Sequence, residues 1–512
     1  MRFTRSLKLL ALATLAFLSL ALRASAIGPS DEWYLVTLSG QPCGYMHTWQ
    51  SEIAPNPAQV PPTGALLEVG QEMVMRVGRA GQAVSIRTRQ VSRERFAGSQ
   101  PPGPALMESA VLEAELGGTP TVTSWTFAGN KVLERVDAVR RKGQREREVP
   151  AGEWLPPGAA QMLAESRRAA GDSPFTITTI DFESGLRVAS VTSTRGDAGS
   201  VRVDGREVPV TWWGTTSTLN PFTAREAYAA DGSLVELRLP MEIGEIVVTR
   251  STKESVQGQQ GEAAAPELLV RSLVPITGSD ARSLSSAAAA TYLVSREVPP
   301  SSHQAVLAND GSAWRITVSA DAPAASTLAP TPPLSLEERA ACLEASTLID
   351  SDDEHVRRAT AKTLEGAPMD NPSHRAELLR RSVYAVIRRK DLASALASAS
   401  DTIISRAGDC TEHAVLLAAM LRVDGIPARV ACGIVSSESF AGQRNVFAWH
   451  MWTQAWIDGR WVDLDATLPD RAFHPGHVLC ATTPLAGGAM DPAIANLAAI
   501  IGGLRVEVVD VR

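Results

Sequence analysis

The sequence predicts an α+β protein in which a large antiparallel β-rich region precedes an α+β domain at the C-terminus. From Glu32 to about Val256, apolar and polar residues alternate in short runs broken by Gly, Pro, Asp and Asn. This alternation is typical of half-buried antiparallel strands. Beyond residue 335 the apolar spacing becomes helical, and between Ala407 and Asp470 a helix signal is followed by strand signals. These observations predict the fold class.

Length and composition indicate a globular protein of several domains. A chain of 512 residues exceeds one ordinary hydrophobic core. Hydrophobic residues make up 44% and charged residues 21%, a balance that argues against an extended disordered region. Changes of pattern and two linkers, one rich in Gln and Gly and one rich in Ala and Pro, predict the segments of the chain. They are a signal peptide 1–26, a β-rich domain 27–256, a linker 257–266, a small β-rich block 267–322, a linker 323–334 and a C-terminal α+β domain 335–512.

The first 26 residues have the pattern of a secretory signal. Basic residues precede the apolar run Leu9–Leu22, which ends before Ala24-Ser25-Ala26. We expect cleavage there and a periplasmic or secreted protein, with an uncleaved membrane anchor as the alternative. Cleavage removes four basic residues and no acid, so the net charge falls from −7 to −11. That charge argues against nucleic acid or an anionic membrane as the partner, and no other segment is apolar enough for a membrane span.

The chain has five cysteines, an odd number. In an oxidising compartment at least one thiol therefore stays unpaired within the chain, which suits a reactive cysteine. With Cys410 set aside as that thiol, the other four allow three disulfide connectivities or persist as buried thiols: Cys43, Cys342, Cys432 and Cys480.

Local signals place several elements. Asp204-Gly205 between two alternating runs predicts a hairpin, and residues 153–170 predict the one strong helix of the β-rich region. His47 and Trp49 are interpreted as ordinary strand positions rather than ligand contacts. In the C-terminal domain, Ser335 with Glu338 three residues later forms a capping-box pattern, and residues 377–390 predict a further helix.

Cys410 is the candidate nucleophile. Gly408 and Asp409 supply a turn and a capping residue, and helical apolar spacing starts at Cys410 and stops before Gly425. A cysteine in the first turn lies at the positive end of the helix dipole, which stabilises the thiolate. The same N–H groups can hold an oxyanion. The alternative is a structural cysteine that begins a buried helix.

A second local signal supplies a base. Asp458-Gly459 predicts a tight hairpin in which Trp456 faces Trp461. In that register His450 shares one face with Asp463 and Asp465, and Asp465 is its diagonal neighbour. A carboxylate at this position fixes the tautomer of the imidazole so that the other ring nitrogen can face a thiolate. Asp463 is the rival for this role, and a histidine satisfied in a hydrophobic hairpin is the alternative.

Three blocks resemble the transglutaminase-like superfamily of cysteine enzymes. They are GDCTEHA (408–414), GIPARVACGIV (425–435) and WHMWTQAWIDGRWVDLDAT (449–467), and the resemblance covers about residues 335–512. It implies a papain-like α+β core with the cysteine helix packed on an antiparallel sheet. It also implies a catalytic triad formed by Cys410, His450 and Asp465.

The sequence departs from animal-type transglutaminases in two ways. The nearest Trp upstream of the cysteine is Trp314, in another block, and no acidic loop suggests a calcium site. A mixed metal site would need Cys410 and His413 together with His450 and Asp465, and the cluster His474/His477 in HPGH is interpreted as a loop. Zinc signatures with paired Cys or His are missing, so we predict no metal and no cofactor.

The sequence thus predicts an exported thiol enzyme that acts on amide bonds of a protein or peptide through an acyl-enzyme. Hydrolysis by a protease or amidase is favoured over crosslinking, because the tryptophan and calcium features of crosslinking enzymes are missing. The alternative is a catalytically inactive transglutaminase-like module that binds cell-envelope protein or polysaccharide.

Overall fold

The computed structural model covers most of the chain. The residues that it describes are 29–53, 64–79, 82–96, 105–116, 119–138, 142–242, 244–259, 270–309, 311–322, 333–389, 397–486, 501 and 503–512. The predicted signal peptide and most of both predicted linkers lie outside these residues. The chain divides into two compact units at residues 266/267.

The first unit is built on one antiparallel sheet of fourteen strands. Its strands run in sequence order across the sheet in two series, β8 to β1 and β14 to β9, which meet where β1 pairs with β14. The bounds are β1 Ser30–Leu38, β2 Gln41–Ile53, β3 Ala65–Arg79, β4 Gln82–Phe96, β5 Ala105–Leu116, β6 Thr119–Ala128, β7 Lys131–Ala138, β8 Lys142–Glu148, β9 Phe175–Asp181, β10 Arg187–Val203, β11 Arg206–Ser217, β12 Asn220–Tyr228, β13 Leu234–Leu239 and β14 Ile246–Ser251.

Local sequence accounts for these strands. On β1 the side chains of Tyr34, Val36 and Leu38 are buried while the intervening ones are more exposed, as period-2 alternation requires. The predicted hairpin at Asp204-Gly205 is confirmed: both residues have positive φ, at 47° and 78°, and join β10 to β11. The large β-rich region that the sequence predicts is therefore present.

Two helices lie among the described residues of this unit, α1 (Pro157–Ala170) and α2 (Lys253–Gln259). The predicted helix at 153–170 is confirmed, but it begins at Pro157 because proline suits the first helical turn. The buried carboxylate of Glu94 accepts hydrogen bonds from the backbone N–H groups of Gly158 and Ala159, at 2.8 and 3.0 Å. It thereby satisfies two donors that the helix leaves unpaired.

The second unit contains two smaller antiparallel sheets and six helices among its described residues. One sheet has the order β15-β20-β19-β22 with β21 also on β20, and the other has the order β17-β18-β16-β23. The bounds are β15 Val274–Pro275, α3 Ala281–Ser286, β16 Ala289–Val294, β17 Gln304–Asn309, β18 Trp314–Ser319, α4 Leu336–Ala341, α5 Glu354–Thr363, α6 Pro372–Val386, α7 Ala399–Ser405, α8 Cys410–Val423, β19 Ala428–Phe440, β20 Gln443–Ile457, β21 Arg460–Leu464, β22 His477–Thr483 and β23 Val506–Val511.

Strand pairing joins the small block 267–322 to the C-terminal segment. β15 pairs with β20, and β16 pairs with β23 at the end of the chain. Both predicted helix signals hold, since α6 covers the first ten residues of 377–390 and the capping box of Ser335 and Glu338 begins α4. None of the described helices is long and apolar enough to cross a membrane.

Helix α8 is the centre of this unit. It contacts α5, α6 and α7 on one side and strands β19 and β20 on the other. All but one of its fourteen residues are buried. A helix that is apolar nearly all round is stable only when other elements surround it. The sheet and the helices therefore fix the position of its first residue, Cys410.

Candidate active site

Cys410 is the first residue of α8, and a capping box fixes this helix end. The carboxylate of Asp409 accepts from Thr411 N at 2.9 Å, and that of Glu412 accepts from Asp409 N at 2.8 Å. These bonds begin the helix at Cys410, where the positive end of the dipole stabilises negative charge on sulfur. The cysteine is buried.

The residue before the N-cap, Gly408, has to be a glycine for steric reasons. Its φ is +155°, and a Cβ added there would lie 2.4 Å from Cβ of Glu412. A side chain at this position would push away the glutamate that completes the capping box. The glycine therefore allows the loop to approach the first turn of the cysteine helix closely.

Two hydrogen bonds hold the cysteine helix on the histidine strand. Thr411 Oγ1, next to Cys410, donates to Met451 Sδ, next to His450, at 3.5 Å. One turn further along, Thr453 Oγ1 donates to the carbonyl of Ala414 at 2.9 Å. These bonds hold the start of α8 against the middle of β20.

The β20–β21 hairpin has the register that the sequence predicts. Trp456 pairs with Trp461 and Gln454 with Asp463, around a turn in which Asp458 and Gly459 have φ of 50° and 74°. Two successive positive φ values are the mark of the tight turn that Asp-Gly favours. Asp465 follows the last residue of β21.

This geometry brings Asp465, and not Asp463, to His450. The distance from His450 Nε2 to Asp465 Oδ2 is 2.7 Å, and both side chains are fully buried. The other carboxylate oxygen, Oδ1, accepts from Thr467 N at 2.8 Å and from Thr467 Oγ1 at 2.6 Å. Because the carboxylate engages Nε2 of His450, Nδ1 is the ring nitrogen through which His450 would exchange a proton with another group.

Asp463 contacts other buried side chains and not His450. It accepts from Trp452 Nε1 and Gln454 Nε2, each at 2.8 Å, and lies 3.1 Å from Nδ1 of His303. Burial alone would raise the pKa of Asp463, but the hydrogen bond and charge of His303 and the bond from Trp452 outweigh it and lower the pKa below its usual range. Asp463 therefore anchors the hairpin to the loop before β17.

A family comparison covers this site. The model of the Transglutaminase-like superfamily matches residues 359–466, which include Cys410, His450 and Asp465. Residues 359–466 form a transglutaminase-like domain. The resemblance found in the sequence is thus confirmed, and at the level of the superfamily it supports a cysteine enzyme. No curated protein matches the sequence significantly.

Solved structures with partial similarity include three bacterial proteins. A candidate cysteine protease from Cytophaga hutchinsonii is 17% identical over 47% of this chain and 86% of that chain, with a TM-score of 0.27. A beta-barrel-like protein of a domain of unknown function from Brucella abortus is 13% identical over 44% and 97%, with a TM-score of 0.31. A candidate protease from Parabacteroides distasonis is 13% identical over 67% and 63%, with a TM-score of 0.17. Scores this low support no conclusion about this chain.

Sequence reasoning missed Arg380 of the transglutaminase-like domain. Its fully buried guanidinium, on α6, donates to the carbonyl oxygens of Asp465, at 3.3 Å, and of Leu468. It also donates to both carboxylate oxygens of Glu377, at 2.7 and 2.9 Å. Arg380 therefore fixes the loop that carries Asp465. Its position on α6 gives no sequence signal of this contact, because arginines at helical spacing are usually exposed.

His477 was interpreted as part of a loop, yet it reaches the same carboxylate. Its Nε2 lies 3.1 Å from Asp465 Oδ2, and its ring is fully buried. It is the first residue of β22 and lies beyond the matched residues 359–466. The sequence signal that could have found it is the HPGH cluster twelve residues after Asp465.

In the described part of the chain, His450, Asp465 and His477 are the donors close enough to share a metal ion, within 4.8 Å of one another. This set differs from the mixed set with Cys410 and His413 considered from the sequence. The separations of 2.7 and 3.1 Å from the carboxylate oxygen are hydrogen-bond distances, so hydrogen bonds account for the cluster without an ion.

Trp452 packs against this cluster. Its ring centroid lies 5.8 Å from that of His450 and 5.3 Å from that of His477. Gly433, which pairs with His450 across β19 and β20, makes room for it, because a Cβ there would lie 2.9 Å from the indole. The tryptophan thus screens the two histidines from water on one side.

The five cysteines are all buried, and in the structure none of them forms a disulfide. Burial raises the pKa of both Cys43 and Cys480 to about 12. Burial also raises the pKa of Cys342, against an opposing effect of Arg422 and Arg429. At neutral pH these three thiols are protonated and poorly nucleophilic, so they give little background in a test of Cys410.

Replacing Asp463 by asparagine is expected to destabilise the hairpin by about 1–3 kcal/mol at pH 7, because His303 loses its carboxylate partner. The pKa of Asp463 in the folded protein lies below its value of about 3.9 in the unfolded chain. The ionised carboxylate therefore stabilises the folded protein above pH about 4, and this stabilisation is lost as the pH falls through the folded-state pKa. The difference between the two proteins should therefore shrink below about pH 4.

Hydrogen exchange of peptides from β20 and β21, measured from pH 7 down to pH 3, reports this local stability without interference from the first unit. The peptides of β16 and β18 serve as the internal control. A difference that stays constant or grows at the acid end would contradict the role given to Asp463.

Proposed function

We propose that the protein is an exported thiol enzyme that cleaves amide bonds of a protein or peptide through a thioester on Cys410. The observation that carries the proposal is the fully buried 2.7 Å bond between His450 Nε2 and Asp465 Oδ2 on the strand against which the helix of Cys410 is pinned. A buried carboxylate that orients an imidazole, on a strand against which a helix with an N-terminal cysteine packs, is an arrangement that can activate a thiol.

The reaction follows from these positions. His450 takes the proton of Cys410 through Nδ1, and the sulfur attacks the carbonyl carbon of the substrate. The backbone N–H of Cys410 contributes to stabilising the oxyanion. The tetrahedral intermediate collapses as the C–N bond breaks, and His450 gives the proton to the leaving amine. Asp465 stabilises the imidazolium throughout.

Water then releases the acyl group. His450 removes a proton from water, the oxygen attacks the thioester carbon, and the C–S bond breaks to return the thiol. A lysine amine in place of water would give an isopeptide crosslink. We favour water, because the sequence shows neither the upstream tryptophan nor the acidic calcium loop of crosslinking enzymes.

Labelling with iodoacetamide at pH about 5.5 tests the proposal. An ordinary thiol with a pKa near 8.5 is then almost wholly protonated, so only an activated cysteine reacts fast. We expect rapid labelling at Cys410, read by peptide mass, that disappears in Cys410→Ala and slows to the rate of free cysteine in His450→Ala. The other cysteines of the same molecule are the control.

If Cys410 in folded and reduced protein is labelled no faster than free cysteine, the proposal of a thiol enzyme is contradicted. A non-catalytic module that binds cell-envelope protein or polysaccharide would then be the better description. Fast labelling that His450→Ala leaves unchanged would contradict the role of the histidine alone.

A further inference from the structure

The proposed function leaves His477 unexplained, although this histidine shares a carboxylate oxygen with His450. Its Nδ1 lies 3.0 Å from the carbonyl oxygen of His474 and its Nε2 lies 3.1 Å from Asp465 Oδ2. A backbone carbonyl can only accept a hydrogen bond, and an ionised carboxylate can only accept one as well. Both ring nitrogens of His477 therefore face acceptors.

A neutral imidazole has one N–H and one lone pair, so it cannot donate to both acceptors. With Nδ1–H directed at His474, a neutral His477 would direct the lone pair of Nε2 at the lone pairs of Asp465. At 3.1 Å in a fully buried site this contact is repulsive and has no solvent to relieve it. A proton on each nitrogen turns both contacts into hydrogen bonds.

The number of hydrogen bonds that the Asp465 carboxylate can accept also indicates that His477 carries a proton on each ring nitrogen. An ionised carboxylate has about four lone-pair sites. Oδ1 accepts twice from Thr467, and Oδ2 is approached by the Nε2 atoms of His450 and His477. Two ring nitrogens can both approach Oδ2 favourably only if both histidines donate through Nε2.

The neighbouring histidine does not compete for the charge. His474 Nδ1 accepts from Gly476 N at 3.1 Å, so this nitrogen carries a lone pair and the ring of His474 is neutral. The titratable groups recorded next to His477 are Asp465 after β21, His450 on β20 and His474 on the preceding loop. The aromatic rings of Phe473 and Trp452 also pack against it. The pair His303 and Asp463 lies behind those aromatic rings.

We propose that His477 is a positioning residue, held as an imidazolium that shares Asp465 with His450 and sets the charge state of the Cys410–His450 pair. It neutralises Asp465 inside a buried site, where an unpaired carboxylate would be costly. Its ring centroid lies 5.5 Å from that of His450, so its positive charge disfavours a second proton on His450. The cation therefore disfavours the state in which Cys410 is a thiol and His450 is at the same time an imidazolium, and this deepens the proposed function on which it rests.

The protonation state can be observed without any thiol chemistry. Full-length protein carrying Cys410→Ala is labelled with ¹⁵N in the imidazoles of its eight histidines. At pH about 8 an ordinary imidazole is neutral and has one N–H. We expect the histidine whose signals vanish when His477→Gln is added to show protons on both ring nitrogens. Signals showing a single ring proton on His477 would overturn the proposal.

The pH dependence of labelling tests the consequence for the site. Removing a nearby positive charge raises the pKa values of the Cys410–His450 pair. In His477→Gln, both limbs of the profile of labelling rate against pH, the acidic and the basic one, should therefore move to higher pH. At 5.5 Å and an effective dielectric constant of about 20, the expected shift is about two pH units. His474→Gln, a neutral neighbour, should leave both limbs in place.

The outcomes separate the two proposals. If Cys410 is labelled fast and the pH profile of His477→Gln equals that of the parent protein, the role of His477 is overturned while the proposed thiol enzyme stands. Slow labelling of the parent protein would contradict the enzyme, while the ring protons of His477 would still decide its charge. A stoichiometric divalent metal whose removal by a chelator changes the histidine signals would overturn the proposal, because a metal and not a proton would then bridge the acceptors.

Discussion

Replacing Asp465 by asparagine is expected to slow the labelling of Cys410 roughly 10²- to 10³-fold at pH about 5.5, the gap between an activated thiol and one with an ordinary pKa near 8.5. Thr467 donates twice to Oδ1, so an asparagine would keep its carbonyl oxygen on that side. Its NH₂ group would then occupy the position of Oδ2 and donate to His450 Nε2. That contact fixes the proton on Nδ1, the wrong tautomer for accepting a proton from Cys410.

Asp463→Asn is the matched control for this prediction. Both substitutions remove a buried carboxylate from the same short segment, so both are expected to cost stability. Only Asp465 contacts His450, so only Asp465→Asn should suppress labelling while the protein remains folded. Equal losses in both variants would show that stability and not the histidine tautomer controls the thiol, and no loss in Asp465→Asn would remove the carboxylate from the mechanism.

Replacing Arg380 by methionine is expected to destabilise the transglutaminase-like domain by about 2–5 kcal/mol, because two carbonyl oxygens lose a fully buried charged donor. The guanidinium is fully buried, and its loss leaves the carbonyl oxygens of Asp465 and Leu468 without this donor. Glu377 keeps a partner in Arg381, so the penalty concentrates on the Asp465 loop. We therefore expect faster hydrogen exchange at residues 465–468 and slower labelling of Cys410.

Arg381→Met provides the comparison. Arg381 bonds to the same glutamate at 2.6 Å, but its side chain is 65% exposed, so its loss is expected to change stability by about 0–1 kcal/mol. The two substitutions are chemically identical and adjacent in sequence. Similar effects of both on exchange at residues 465–468 would contradict the role assigned to the buried arginine.

Much of the site could be predicted because it is built from local signals. The start of α8 at Cys410 depends on Asp409 and Glu412, which are next to it or two residues away. The register of β20 and β21 depends on the turn at Asp458-Gly459, which lies between them. Such features are encoded within a few residues, where capping and turn chemistry decide the backbone.

The local signals favoured Asp465 over Asp463 only through the hairpin register, in which Asp465 is the diagonal neighbour of His450. Both aspartates lie on the same face of the predicted hairpin, and strand periodicity does not separate them. The structure separates them because His303, 160 residues away in sequence, approaches Asp463 from another segment, and β21 ends just before Asp465. Contacts of that kind depend on packing that no short stretch of sequence specifies.

The sequence by itself determined the β-rich first region, the transglutaminase-like character of the C-terminal part, and the placement of Cys410 and His450 on a helix end and a strand. The strands and the placement of the two residues follow from periodicity, capping or turn residues close together in the chain, and the transglutaminase-like character is what the resemblance of three sequence blocks implies. Only the tertiary structure decided that Arg380, 85 residues before Asp465, holds its loop, and that His477 approaches its carboxylate. The reason is physical: buried polar groups take their partners from whatever elements the packing brings within about 3 Å, whatever their distance in sequence.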